Sequence, residues 1–332
     1  MKPLTPRMLT GPGLVESVIV GFEVGAHSEV KRDILRDGIS SLGLRIMTFE
    51  PEPGISCLLA ADTSSALNET RYNALWGAHS VAVRCVFDGR SNSDVMAGHG
   101  SIPYRDLCYS DYLEVVEIIP YSDPDVRAND MRVKFEFESL LKAYEESKSD
   151  GAKPDYILID GSIYTNKRGL NAKSEYPDAE DAKEAFERIL GLGGVVGMVE
   201  DSHATDVASK LGYNFTNMLL FDLALEPGEY VLDVREGVNI CYIKMPSKRV
   251  PYLPQGYSSP QVVRWEFNYD GFEGDLMRLA GIWLSEDDLM HPQIYPLRMA
   301  DYLSRKVKVG GLLDEIVQRK DLPLKFRQLR VG

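Results

Sequence analysis

The sequence has few cysteines, no long apolar run and no excess of positive charge. Its four cysteines include no CxxC pair, so neither a cysteine-rich zinc site nor a disulfide framework is expected. No run reaches the roughly 18 apolar residues of a membrane helix, and no signal-peptide core is present, which predicts a cytoplasmic protein. The net charge of −13 counts against a protein that coats DNA through a basic surface, but it suits a carboxylate metal site.

The 332 residues allow one large domain with an appended segment, or two domains. We expect a boundary at residue 79/80. Residues 1–79 are predicted to form a helical extension, with helices over 28–42 and 60–75, that docks a partner. Residues 80–332 are predicted to form an α/β domain with a mixed central sheet flanked by helices, followed by a helical C-terminal part.

Apolar runs and helical periodicity define the elements of the second region. The predicted strands are 80–87, 98–108, 112–119, 156–160, 195–199, 229–234, 238–245 and 261–269. The predicted helices are 129–147, 177–190, 274–284, 295–308 and 311–319. A short helix that ends near Leu211 is expected to take Ser202 as its N-cap.

Two buried strands end in Asp-Gly, at Asp88-Gly89 and at Asp160-Gly161. Carboxylates at the ends of neighbouring strands can share a divalent ion, and Mg²⁺ and Mn²⁺ prefer oxygen ligands. Two such ions about 3.5–4 Å apart can activate a water molecule and stabilise the leaving oxygen in phosphodiester hydrolysis. Asp-Gly is also a common tight turn, so we give the metal-site and turn interpretations about equal weight.

A third carboxylate is needed for such a site, and the helix between the two strands offers Glu136 and Glu138. Glu136 lies nearer the edge of the apolar face and is preferred, with Glu138 as the alternative. Glu200 and Asp201 follow the strand at 195–199 and are further candidates, although Asp201 also suits a helix cap.

Basic side chains after the second Asp-Gly could line a path for DNA, because phosphate contacts are made mainly by Lys and Arg. The candidates are Lys167, Arg168 and Lys173, for which a solvated loop is an equally good interpretation. Tyr164 and Trp265 could stack on bases, but burial is the better expectation for Trp265.

Several segments, in this order, resemble the NurA nucleases over roughly residues 80–305. They are SVAVRCVFDGRS, MRVKFEFESLL, YILIDGSI, GMVEDS, VVRWEF and IYPLRMAD. The resemblance implies an RNase H-like fold, Mn²⁺ or Mg²⁺ dependence and nuclease action on DNA. It further implies a homodimer that works with a HerA-type hexameric ATPase in DNA end resection. The family's catalytic acids fall on Asp88, Glu136 and Asp160.

The chain departs from the family pattern at two positions. Glu200 stands where the family often has lysine, and Asp301 stands where it has histidine; the nearby His291 could substitute. Asp301 can bind a metal ion but cannot act as an imidazole acid or base. Two alternatives therefore remain open: an altered or inactive subunit of the translocase complex, and another RNase H-like nuclease that acts on RNA or junctions.

Overall fold

The computed structural model describes most of the chain, with several gaps. The described residues are 28–69, 74–89, 103–118, 124–170, 177–200, 202–247, 261–286 and 293–319. They form one nine-stranded mixed sheet with helices on both faces. None of the helices within these residues is long and apolar enough to span a membrane.

The elements are numbered in chain order. The strands are β1 (Arg45–Thr48), β2 (Ser56–Glu69), β3 (Ala74–Phe87), β4 (Tyr104–Ile118), β5 (Tyr156–Asp160), β6 (Val195–Val199), β7 (Glu229–Arg235), β8 (Val238–Lys244) and β9 (Val262–Phe267). The helices are α1 (Ser28–Ser41), α2 (Pro124–Ser149), α3 (Ile163–Leu170), α4 (Pro177–Leu190), α5 (Asp206–Lys210), α6 (Asn217–Ala224), α7 (Glu273–Ser285), α8 (Tyr295–Ser304) and α9 (Val309–Arg319).

Five adjacent strands, in the order β4-β3-β2-β5-β6, form the RNase H-like part of the sheet. Strands β2, β3 and β4 are antiparallel neighbours, whereas β5 and β6 run parallel to β2. The parallel strands need crossover helices, which α2 and α4 supply. Strands β9, β8, β7 and β1 continue the sheet beyond β6 in antiparallel pairs.

Each face of the sheet is covered by its own hydrophobic core. On one face, α2 and α4 pack against the sheet through residues such as Phe137 and Phe186, whose ring centroids are 4.9 Å apart. On the other face, α7 and α8 cover a core that contains Trp265 and Trp283. Trp265 is fully buried, as expected from its place on a strand. Because both faces are covered, β5 and β6 are apolar along nearly their whole length.

The sequence correctly predicts the helix at 28–42, which is α1, and most elements after residue 124, but it misassigns residues 43–79. The predicted helix at 60–75 is wrong, because these residues belong to the hairpin of β2 and β3, which pair over 14 residues. The boundary at 79/80 is therefore also wrong, since it cuts through β3 and removes β2 from the centre of the sheet. The strands predicted at 98–108 and 112–119 are one continuous strand within the described residues, β4.

Two smaller expectations are also corrected or refined. Thr205, not Ser202, occupies the N-cap position of α5, and the Ser202 hydroxyl instead accepts a hydrogen bond from Arg264. The four cysteines are free, and Cys85 and Cys241 are buried.

Candidate functional site

The pairing of β2 with β5 places Asp62 beside Asp160. Ala61 of β2 is opposite Ile159 of β5 in a parallel pair, so the next residues along the two strands, Asp62 and Asp160, are neighbours. Adjacent strands are about 4.8 Å apart, and side chains at matched positions point to the same face. The two carboxylates therefore lie side by side where β5 ends.

Helix α2 adds Glu136 to this pair. Asp62, Glu136 and Asp160 line one cavity of about 210 Å³, together with Arg132 and Asn166. The Nη1 atom of Arg132 donates a hydrogen bond of 3.0 Å to Oε2 of Glu136, one helical turn away. The preference for Glu136 over Glu138 agrees with this geometry, because Glu138 is exposed and does not line the cavity.

The crowding of acidic groups changes their protonation. Burial, together with the charges of Asp62 and Asp160, raises the pKa of Glu136 to about 8, although Arg132 opposes the shift. Burial and the charges of Asp62, Glu200 and Asp301 raise the pKa of Asp160 to about 6. Both shifts have the cause expected when several carboxylates share a poorly solvated space.

Glu200 and Asp301 form the rim of this cleft. Glu200 directly follows β6, the neighbour of β5, and its side chain is exposed. Asp301 lies on α8, which packs across β2 and β3, and Arg305 of the same helix pairs with it at 2.6 Å. The charges of both residues act on Asp160, so with Asp62, Glu136 and Asp160 they make a cleft of five carboxylates, which come from two helices, two strands and the residue after a third strand.

A buried polar network holds the loop that follows Asp160. Ser162 donates to the fully buried carboxylate of Glu266, which also accepts from the backbone N–H of Tyr164 at 2.8 Å. Arg264 pairs with Glu266 and donates to Ser202 at 3.0 Å. Ser162 and Ser202, each two residues after an acid of the cleft, are thus tied to the same two residues of β9.

Asp88 does not belong to this site. Phe87, the residue before it, is opposite Ser56 at the start of β2, six positions from Asp62. At about 3.3 Å per residue the separation along the strand is about 20 Å. Asp88 instead lies 3.3 Å from Nε of Arg105. The prediction that Asp88 and Asp160 share an ion is therefore wrong, because β3 runs antiparallel to β2 and ends beside the start of that strand.

The sequence analysis missed Asp62, Asn166, Gln293 and Ser304. Asp62 lies within residues 60–75, which the sequence predicts to be a helix, and the Ala and Leu residues around it do favour helices. A single carboxylate within an otherwise apolar or small-residue run was the available signal. Asn166 lines the cavity, whereas Gln293 and Ser304 contact the carboxylates from the C-terminal segment.

Two of the proposed DNA-contacting residues, Lys167 and Arg168, directly follow Asn166 of the cavity and contact other parts of the chain. Lys167 donates to the backbone carbonyl of Glu236 at 2.9 Å, in the turn between β7 and β8. The guanidinium of Arg168 lies over the ring of Tyr164, 5.6 Å from its centroid. Lys173, Asp201 and His291 lie outside the described residues.

The donor set of the cleft suits a hard divalent cation. Carboxylate oxygens are what Mg²⁺ and Mn²⁺ bind, and a positive charge among five carboxylates would relieve their repulsion. Asp62, Glu136 and Asp160 are placed to hold such an ion, with Glu200 and Asp301 at the rim. As the described side chains stand, no group of three His, Cys, Asp or Glu residues encloses a metal position.

Comparison with known proteins identifies the family. A model of the NurA domain matches residues 80–282, more than half of the chain. The chain belongs to the NurA family. This is a family of nucleases, and the matched range contains Glu136, Asp160 and Glu200 but neither Asp62 nor Asp301. A search of curated protein sequences found no match.

Solved NurA structures share the fold at low sequence identity. The NurA nuclease from Sulfolobus solfataricus is 13% identical with a TM-score of 0.52, and the alignment covers 93% of this chain and 98% of that one. A second NurA structure is 10% identical with a TM-score of 0.50 and the same coverage. A NurA structure with manganese is 9% identical with a TM-score of 0.47, covering 87% of this chain and 92% of its own.

Proposed function

We propose that this NurA protein is a divalent-metal-dependent nuclease that hydrolyses phosphodiester bonds of DNA at the five-carboxylate cleft. One observation carries the proposal: Asp62, Glu136 and Asp160, from two neighbouring strands and a helix, line a single cavity. No fold requirement explains three acids in one cavity, since the charges of Asp62 and Asp160 raise the pKa of Glu136 and the charge of Asp62 raises the pKa of Asp160. A functional site is the usual reason for such a cost.

The roles follow from position. Asp62 and Asp160 lie side by side and would both bind the metal ion, with Glu136 as the third ligand. Glu200 and Asp301 would complete the coordination of a second ion or bind water at the rim. When bound, Mn²⁺ or Mg²⁺ supplies an activated water molecule and stabilises the charge that develops on the leaving oxygen. Arg132, beside Glu136, orients that carboxylate.

The biological setting is also a proposal, supported by family membership. We infer that the protein acts in DNA end resection during double-strand break repair, as a homodimer that receives DNA from a HerA-type hexameric ATPase. Lys167, Arg168 and Lys173 are proposed phosphate contacts, because α3 begins directly after the Asp160 loop. This assignment uses their charge and place rather than any contact with a nucleic acid.

A second candidate function rests on the acidic rim. Glu200 and Asp301 replace a base and an imidazole in the family pattern, so the chain could be a metal-binding subunit that does not cut. A panel of linear DNA, RNA–DNA hybrids and branched DNA, each tested with the ATPase, separates this function from an RNA- or junction-specific enzyme. Cleavage of none of them, with intact ATPase binding, would favour the subunit.

The decisive experiment measures hydrolysis of linear DNA with Mn²⁺ in Asp62→Asn and Asp160→Asn, with Asp88→Asn as the control. Loss of a metal site worth several kcal/mol of transition-state stabilisation corresponds to a roughly 1000-fold lower rate. We expect that loss in the first two variants and parental activity in the third. Equal activity of all four proteins would show that the site lies elsewhere.

A further inference from the structure

The segment from Gln293 to Ser304, which includes α8, reaches the central carboxylates at both of its ends. At its start, Nε2 of Gln293 donates a hydrogen bond of 2.7 Å to Oδ1 of Asp160. Gln293 is only 4% exposed, so its amide has been removed from water. A buried amide is costly unless it is hydrogen-bonded, and its partner here is a carboxylate of the cleft.

At the other end, the hydroxyl of Ser304 donates to Oδ2 of Asp62. Ser304 is fully buried, and its Oγ also lies 3.0 Å from the backbone carbonyl of Asp301. A hydroxyl has one proton to donate, and an ionised carboxylate is the stronger acceptor. The bond to Asp62 therefore prevails whenever Asp62 is charged.

Ser304 is itself held in place by a buried histidine. Nδ1 of His79, on β3, lies 2.9 Å from the backbone carbonyl of Ser304. Because a carbonyl oxygen only accepts, this ring nitrogen carries the proton. His79 is 5% exposed, so it fixes the end of α8 against β3, the strand paired with the one that bears Asp62.

We propose that Gln293 and Ser304 are positioning residues that orient Asp160 and Asp62 for metal binding. Each donor occupies one carboxylate oxygen and restricts the rotation of the group, so the second oxygen would remain available to hold an ion. Partners of this kind commonly contribute 10- to 100-fold to metal affinity or activity. The inference rests on the proposed function, since it assumes that these carboxylates bind the metal.

The test measures Mn²⁺ binding by isothermal titration calorimetry in the full chain, with Gln293→Met and Ser304→Ala as variants. Methionine keeps the length of glutamine but removes the donor. We expect each variant to bind Mn²⁺ roughly tenfold more weakly. We also expect each to regain much of its nuclease rate at saturating Mn²⁺, which a residue that only supports the fold would not do.

The matched control is Ser147→Ala. Ser147 is also a buried helical serine, but its hydroxyl donates to the backbone carbonyl of Ala143 at 2.7 Å rather than to a carboxylate. Parental Mn²⁺ affinity is expected for this variant. Thermal unfolding establishes that each protein is folded, and each of the two test variants measures the role of its own residue.

The possible failures can be told apart. If the parent binds Mn²⁺ and Asp160→Asn does not, yet both positioning variants bind as the parent does, only this inference is overturned. If both variants lose their fold, it is overturned as well, since the two side chains then serve stability. If the parent itself binds no Mn²⁺, the proposed function fails, and this inference fails with it.

Discussion

The chain carries two Asp-Gly turns after apolar strands, and the fold uses them differently. Asp160 ends β5, which is parallel to the central strand β2, and it joins Asp62 and Glu136 in the acidic cleft. Asp88 follows β3, which is antiparallel to β2, and it forms an ion pair with Arg105 at the far edge of the sheet. Strand direction, rather than local sequence, separates a candidate catalytic residue from a turn residue.

The surroundings of the two turns differ in the same way. Around Asp160 the neighbours are acidic, and their charges raise its pKa to about 6. Near Asp88, within the described residues, lies a half-exposed arginine, Arg105. Removing charge should therefore stabilise the metal-free protein at the first turn and weaken it slightly at the second.

The largest effect on stability is expected from Glu136→Gln. The native pKa of Glu136 is about 8, against 4.5 for the ordinary side chain. The protonated form is therefore favoured in the folded state, and its stabilising contribution is complete below pH 4.5 and is lost as the pH rises to about 8. At about 1.4 kcal/mol per unit, the ionised carboxyl costs up to about 5 kcal/mol at higher pH.

Urea denaturation with EDTA, at pH 5 and at pH 8.5, measures this effect. The Gln variant should be the more stable protein at pH 8.5, by a few kcal/mol, and close to the parent at pH 5. Glu138→Gln, on the exposed side of the same helix, should show no comparable gain. A Glu136→Gln protein that is less stable than the parent at both pH values would contradict the claim that the ionised Glu136 carboxylate destabilises the folded protein.

The difference between the two turns also marks what could be predicted from sequence. Strand β5 and its terminal Asp160 are visible as an apolar run that ends in Asp-Gly. Choosing Asp62 instead of Asp88 requires knowing which strand lies beside β5 and in which direction it runs, and pairing between distant segments leaves no local pattern. Strand β2, rich in Ala and Leu, also favours a helix by propensity alone.

Other residues of the cleft are even harder to predict from the sequence alone. Glu200 is a candidate because it follows the apolar strand at 195–199, whereas Asp301 is singled out only because a family pattern aligns with it. Gln293 and Ser304 carry no signal of their own, since a polar residue next to or within a helix is ordinarily solvated. Their burial against carboxylates arises from the packing of α8 across β2 and β3.

A smaller effect is expected from glycine substitutions near the two turns. A Cβ atom at Gly197, on β6, would lie 2.7 Å from the backbone oxygen of Gly161, so Gly197→Ala must displace the loop after Asp160. Overpacking of this kind costs about 1–3 kcal/mol, and the displaced loop should also lower nuclease activity and Mn²⁺ affinity.

Gly89 provides the comparison. It adopts a φ of +68°, so Gly89→Ala is strained by about 1 kcal/mol, but the nearest atom to the new Cβ is the Phe87 ring at 3.8 Å. We expect a comparable or smaller loss of stability with parental activity and Mn²⁺ binding. If Gly197→Ala leaves Mn²⁺ binding intact while Gly89→Ala removes it, the assignment of the two turns is reversed.

The smallest effect is expected from Asp88→Ala. Its partner Arg105 has a half-exposed side chain, and ion pairs of this kind contribute about 0–1 kcal/mol because solvent and salt screen them. The variant should lose less than about 1 kcal/mol in urea denaturation at low salt. The loss should shrink in 1 M NaCl, where the Debye length falls to about 3 Å. DNA hydrolysis should match the parent. Asp88 stands about 20 Å along the strand from Asp62. A nuclease defect in a variant of unchanged stability would therefore mean that the end of β3 also takes part in catalysis.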